Sequence, residues 1–157
     1  NMYNEEIKEI VKQIRQLVRA VYRDSLTMAR EYGLTPPQCA LLRTIYLQGP
    51  LSSAALSRNL FVTPSNITGI VDRLVKKDMV VRERQLKDRR VTLISLTATG
   101  HTLAASLPDN IETKLVEGLS ELQDSHIQDL SRSLAEILAL IDASHVTAAP
   151  LELPRRH

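Results

Sequence analysis

The chain has 157 residues and a net charge of +2, with 43% hydrophobic, 24% charged and only 3% aromatic side chains. That balance suits one globular domain with a Leu/Ile/Val core and excludes a disordered chain. No apolar run approaches the ~18–20 residues of a membrane span, residues 1–6 lack the basic-then-apolar layout of a secretory leader, and one cysteine, Cys39, excludes an internal disulfide or a Cys-rich metal knuckle.

These features predict a soluble, cytoplasmic protein with no membrane partner. Its near-neutral total is unevenly distributed. Residues 58–95 carry nine Lys/Arg against four Asp/Glu, a net of +5, whereas residues 96–149 carry two against eight, a net of −6. A basic middle beside an acidic end points to a polyanionic partner held by the middle.

In chain order, residues 5–32 are predicted to form one long helix. Ile7, Ile10, Val11, Ile14, Leu17, Val18, Val21 and Leu26 recur at three-and-four spacing, and Gly33 follows where a left-handed cap is wanted. So narrow a seam needs a partner surface, from this chain or from a second copy. Thr35-Pro36-Pro37-Gln38 opens a second helix with an N-cap, a proline at the first position and a capping box; it ends near Gly49-Pro50. A short helix over 53–60 follows. Thr63-Pro64 then repeats the cap-plus-proline signal for a helix over 64–77, with Ile67, Ile70, Val71, Leu74 and Val75 on one side. Residues 79–86 and 91–96 are short and rich in β-branched side chains, and they flank Lys87-Asp88-Arg89-Arg90, which predicts a hairpin with a basic tip. Thr97 caps a further helix that Pro108 should kink or interrupt. Ser125 with Gln128 predicts a capping box for the last helix, which carries Ile127, Leu130, Leu134, Ile137, Leu138 and Ile141. From Thr147 the chain should fray.

The helix opened by Thr35-Pro36 and the helices over 53–60 and 64–77, followed by a basic hairpin, make a mainly α winged helix-turn-helix with a small β-hairpin wing. In that arrangement the third of these helices enters the major groove of double-stranded DNA by its N-terminal end. Thr63 and Pro64 start it; Ser65, Asn66, Thr68 and Gly69 are small or polar on the face opposite the apolar side. Asn66 can pair bidentately with adenine, Ser65 and Thr68 serve either base type, and Arg73 reaches guanine or phosphate. In the hairpin, Lys87, Arg89 and Arg90 suit phosphates and the minor groove, and Asp88 is expected to brace Arg90 or Arg73 in one rotamer. A solvated basic turn is the plain alternative.

The segment from Leu34 to Thr97 resembles the MarR family of bacterial transcription regulators. The likeness runs through Leu34-Thr35-Pro36-Pro37-Gln38, Leu56-Ser57-Arg58-Asn59-Leu60, the stretch from Pro64 to Leu74, Asp88-Arg89-Arg90 and the closing Leu96-Thr97. It implies that residues 64–74 read the major groove and that Arg90, supported by Asp88, enters the minor groove. It also implies a homodimer on a pseudo-palindromic operator. Residues 1–33 and 98–146 would form the dimerisation region, 34–97 the DNA-binding domain and 147–157 a flexible tail. Ile7, Ile10, Val11 and Ile14 would meet Leu130, Leu134, Ile137, Leu138 and Ile141 across the dimer. Asp78 departs from the family, which usually has glycine there.

The resemblance further implies a small-molecule effector such as an aromatic or phenolic acid. Arg15, Arg19, Tyr22, Arg43 and Tyr46 are the cations and hydroxyls placed to receive a carboxylate, although each is equally a seam or surface residue. Cys39, in the first turn of its helix, is a candidate redox sensor or a small buried hydrophobe. His101, His126, His145 and His157 show no metal-ligand spacing, so no metal and no cofactor are expected; His101 alone suggests a pH switch. No phosphate loop, nucleophile elbow or carboxylate pair argues for an enzyme. A helical adaptor whose basic hairpin binds an acidic protein is the competing reading.

Overall fold

The computed structural model describes residues 4–151; residues 1–3 and 152–157, with His157 and the end of the expected tail, lie outside the described residues. The chain divides into two compact units, one running to Leu107 and resuming from Ala149, the other Pro108–Ala148.

The first unit opens with α1 (Glu5–Tyr32). The Asn4 side chain caps it by accepting the Ile7 N–H at 2.8 Å, and Gly33 closes it at φ +65, its N–H donated to the Ala29 carbonyl. A side chain at that φ would be strained, so glycine there fixes the end of the helix. Helix α2 (Pro36–Gln48) starts with the expected capping box, Thr35 Oγ1 receiving the Gln38 N–H and Gln38 Oε1 receiving the Thr35 N–H. It buries Cys39, Leu41, Leu42 and Ile45.

Leu51–Ser52 form β1, a strand absent from the sequence reading because two residues carry no periodicity. Ser52 then caps α3 (Ser53–Leu60), and Thr63 caps α4 (Pro64–Lys76). The wing strands are β2 (Val80–Arg84) and β3 (Thr92–Leu96). They are shorter than 79–86 and 91–96 because Gln85 donates to the Val91 carbonyl and Val91 to the Asp88 carbonyl, drawing 85–91 into a closed loop. The antiparallel sheet has the order β1-β3-β2, with Leu51 opposite Ile94 and Val80 opposite Leu96. Leu34, Leu41, Leu42, Leu56, Ile67, Val71, Leu74, Val80 and Ile94 are fully buried, so α2, α3, α4 and the sheet share one core.

Thr97 caps α5 (Ala98–Ser106). Pro108 interrupts the chain outright: Leu107 before it is extended (φ −62, ψ 131), the conformation a following proline enforces. In the second unit, α6 (Ile111–Ser120) is capped by Asn110, and α7 is Asp124–Leu140. The expected Ser125 capping box does not form. Gln123 occupies the N-cap position without a side-chain bond, and Ser125 lies inside the helix, where Asp124 supplies first-turn negative charge to the dipole. Neither α6 nor α7 buries a residue. Ala149, expected in a frayed tail, is partly buried against the core of the first unit. Among the described residues no helix is long and apolar enough to cross a membrane.

Candidate nucleic-acid interface

Helix α4 has two chemically distinct sides. Ile67, Ile70, Val71 and Leu74 are between 0% and 4% exposed, which fixes the rotation of the helix. That rotation leaves Ser65, Asn66, Thr68 and Arg73 exposed and Gly69 half-exposed. The first turn is ordered by its own hydroxyls. Thr63 Oγ1 accepts the Asn66 N–H at 3.4 Å and lies 3.3 Å from Ser65 Oγ, and Thr68 Oγ1 donates to the Pro64 carbonyl at 3.2 Å. With Pro64 at the first position, this end presents polar groups without a charged side chain, and its dipole favours an anion.

The turn from α3 into α4 is held by Ser57, whose hydroxyl donates to the Val62 carbonyl while its carbonyl receives the Val62 N–H. Phe61, between them, is left-handed (φ 54) and 66% exposed.

Lys87, Asp88, Arg89 and Arg90 are all exposed on the loop between β2 and β3. Asp88 does not act as expected. Its carboxylate accepts the backbone N–H of Arg90 at 3.0 Å, an Asx-type turn that orients the main chain, rather than bracing a guanidinium. The guanidinium brace occurs elsewhere: Arg82 on β2 donates to Asp72 on α4 at 2.6 Å, tying the wing to the helix. Sequence reasoning missed this pair because its members belong to different elements ten residues apart. An exposed pair is worth little to stability; it is a side-chain link between the wing and α4. Asp78, where the family usually has glycine, is left-handed (φ 58), a conformation that aspartate adopts at more cost than glycine.

Arg15, Arg19 and Tyr22 are exposed along α1, Arg43 is half-buried in α2, and the Tyr46 ring rests 5.1 Å from the His101 ring of α5. Cys39 is 3% exposed, and its thiol is pushed up to about 11, chiefly by burial, although the Arg43 charge lowers it. Among the described residues no group of three His, Cys, Asp or Glu could hold a metal ion. The dimerisation candidates Ile7, Ile10, Val11 and Ile14 are exposed on α1; Leu130, Leu134, Leu138 and Ile141 are exposed on the second unit, with Ile137 half-buried.

Residues 34–92 match the sequence model of the MarR family. The uncharacterized HTH-type transcriptional regulator YsmB of Bacillus subtilis is 25% identical over 133 residues, 85% of this chain and 91% of its own. The HTH-type transcriptional repressor MdtR of the same organism is 30% identical over 94 residues, 60% of this chain and 61% of its own. Among solved structures, a MepR-like protein complexed with pseudoligands is 27% identical with a TM-score of 0.55, covering 88% of this chain and 97% of its own.

Proposed function

The chain belongs to the MarR family of DNA-binding transcriptional regulators, and from that premise we propose that it is a homodimeric repressor of a pseudo-palindromic operator, released by a small aromatic or phenolic acid. One observation carries the DNA-reading part: burial of Ile67, Ile70, Val71 and Leu74 turns Ser65, Asn66, Thr68 and Arg73 outward on the helix to which the basic wing is tied. In this reading Thr63, Pro64, Ser65, Asn66, Thr68, Gly69 and Arg73 face base edges and flanking phosphates. Lys87, Arg89 and Arg90 meet the neighbouring backbone and minor groove, and Asp88 shapes the turn that carries Arg90.

The homodimer is supported by the uncovered apolar faces. Ile7, Ile10, Val11 and Ile14 are each 39–46% exposed, and Leu130, Leu134, Leu138 and Ile141 are 37–67% exposed. A two-fold assembly would bury both sets and set half-sites about 34–36 Å apart. The repressor sense is carried over from MdtR, and the pseudoligands bound by the MepR-like protein support a small-molecule effector, for which Arg15, Arg19, Tyr22, Arg43 and Tyr46 are the candidate contacts. A redox trigger at Cys39 is disfavoured by the raised, buried thiol.

The test is binding of duplexes selected by the protein from a random pool. Arg90→Ala should weaken binding by about 1–3 kcal/mol and lower the salt slope by about 1. The wild type should lose roughly 10³–10⁵-fold affinity between 50 and 200 mM salt if it neutralises about 6–10 phosphates. A wild type that enriches no sequence refutes DNA reading and leaves the acidic-protein adaptor. Aromatic acids that never weaken the complex refute the effector.

A further inference from the structure

Lys77 is the C-cap of α4, its backbone N–H bonded to the Arg73 carbonyl. Its side chain leaves that helix altogether. Nζ donates to the Gly33 carbonyl at 2.7 Å and to Gln38 Oε1 at 3.2 Å, 44 and 39 residues away in sequence. Gly33 is the residue that ends α1, and Gln38 belongs to the capping box that begins α2. Gln38 is itself 4% exposed, and its oxygen already receives the Thr35 N–H at 3.2 Å. A single ammonium group therefore sits where three helix ends converge: the carboxyl ends of α1 and α4, whose dipoles favour a cation, and the capped start of α2.

We infer that Lys77 is the positioning residue that fixes the attitude of the DNA-reading helix to α1. This deepens the proposed function and rests on its homodimer. If α1 contributes to the dimer seam, the α1–α4 angle in each copy sets the separation and tilt of the two reading helices, and hence which half-site spacing fits. The Lys77 ammonium thus links the carboxyl end of α4 directly to the carboxyl end of α1. Removing it leaves the core residues of α4 in place, and these still set the rotation of the helix about its own axis; what is lost is the tether of its carboxyl end to α1 and α2, so that end can tilt. Charge-assisted bonds to two acceptors, one of them buried, are the kind whose loss is felt. The role does not require Lys77 to touch DNA.

The experiment uses the full chain carrying Cys39→Ala and Ser65→Cys, with one spin label per copy on the reading helix. The label-to-label distance is measured by pulsed dipolar spectroscopy in Lys77 protein, Lys77→Met and Lys77→Arg. In parallel, the Ser65-containing Lys77→Met and Lys77→Arg proteins are assayed against duplexes selected by the wild type and against the same duplexes with one or two base pairs inserted between half-sites. The expected result is a narrow distance distribution that broadens in Lys77→Met and stays narrow in Lys77→Arg. Lys77→Met should also lose discrimination between spacings about tenfold with an unchanged salt slope. A distribution that stays narrow in Lys77→Met overturns the inference while leaving the homodimer standing. So does a uniform loss at every spacing with a slope lowered by about 1, which would mark Lys77 as a phosphate contact. Absence of any dipolar signal in the Lys77 protein overturns the homodimer itself, and the inference with it.

Discussion

Gly100 lies in the first turn of α5, and a Cβ built there would stand 1.9 Å from the Met79 carbonyl oxygen and 2.8 Å from its carbon. Ordinary carbon–oxygen contacts are about 3.3–3.6 Å, so Gly100→Ala forces two backbone segments apart by roughly 1.5 Å. Neither can yield freely. The Met79 oxygen accepts the Thr97 N–H at 3.0 Å, the Thr97 hydroxyl donates to the Asp78 carbonyl at 2.6 Å, and the same hydroxyl accepts the Gly100 N–H at 2.9 Å as the cap of α5. Overpacking costs about 1–3 kcal/mol, and losing the Thr97–Met79 bond and the cap adds about 1 kcal/mol each. Alanine's better helix propensity returns about 1 kcal/mol. The net is a destabilisation of about 2–4 kcal/mol, or roughly 5–15 °C in melting temperature, read by circular dichroism. Gly118→Ala is the control: its Cβ would meet nothing within 4 Å in α6, so it should be neutral or stabilising by up to about 1 kcal/mol. If Gly100→Ala melted at or above the wild type, the packing of Met79 onto α5 would be wrong.

Gly69→Ala should raise stability by about 0.5–1 kcal/mol, since its Cβ meets nothing, yet weaken operator binding by holding α4 off the groove; equal or tighter binding would remove α4 from the DNA surface. Phe61→Asn should stabilise by about 0.5–1 kcal/mol in denaturant titration, because asparagine tolerates the left-handed φ of 54 and the ring is already 66% exposed; a lower midpoint would mean the ring has packing that its exposure denies. At pH 8 a thiol near 11 holds about a hundredfold less thiolate than one at 9.0, so Cys39 alkylation in native protein should lag far behind that in denatured protein. The raised value also sets a sign. The stability Cys39 contributes is fully present below about pH 9 and is lost as pH climbs through about 11; a wild type that gains stability relative to Cys39→Ala over that window would contradict it.

The parts of this fold legible in the sequence are those encoded within a few residues. Asn4 aside, the helix boundaries follow from Thr35-Pro36, Thr63-Pro64, Thr97 and Gly33, where a cap and its partner lie three or four positions apart. The outward face of α4 was legible for the same reason, as the complement of a helical apolar stripe. What escaped depends on distant partners. β1 exists only because β3 is there to pair with Leu51 and Ser52, and Arg82–Asp72, Lys77–Gly33 and Gly100–Met79 each join elements that no local pattern links. Ser125-x-x-Gln128 erred in the opposite direction: a correct local signature lost to a helix that begins at Asp124.

The sheet order β1-β3-β2 leaves two open edges. One is only two residues long, and the other, Val80–Arg84, ends in three consecutive exposed charged residues, Arg82, Glu83 and Arg84. Short and charged edges discourage strand addition from a neighbouring molecule. The proposed pairing of two copies through the apolar sides of their helices would thus meet little competition from edge-to-edge joining of sheets.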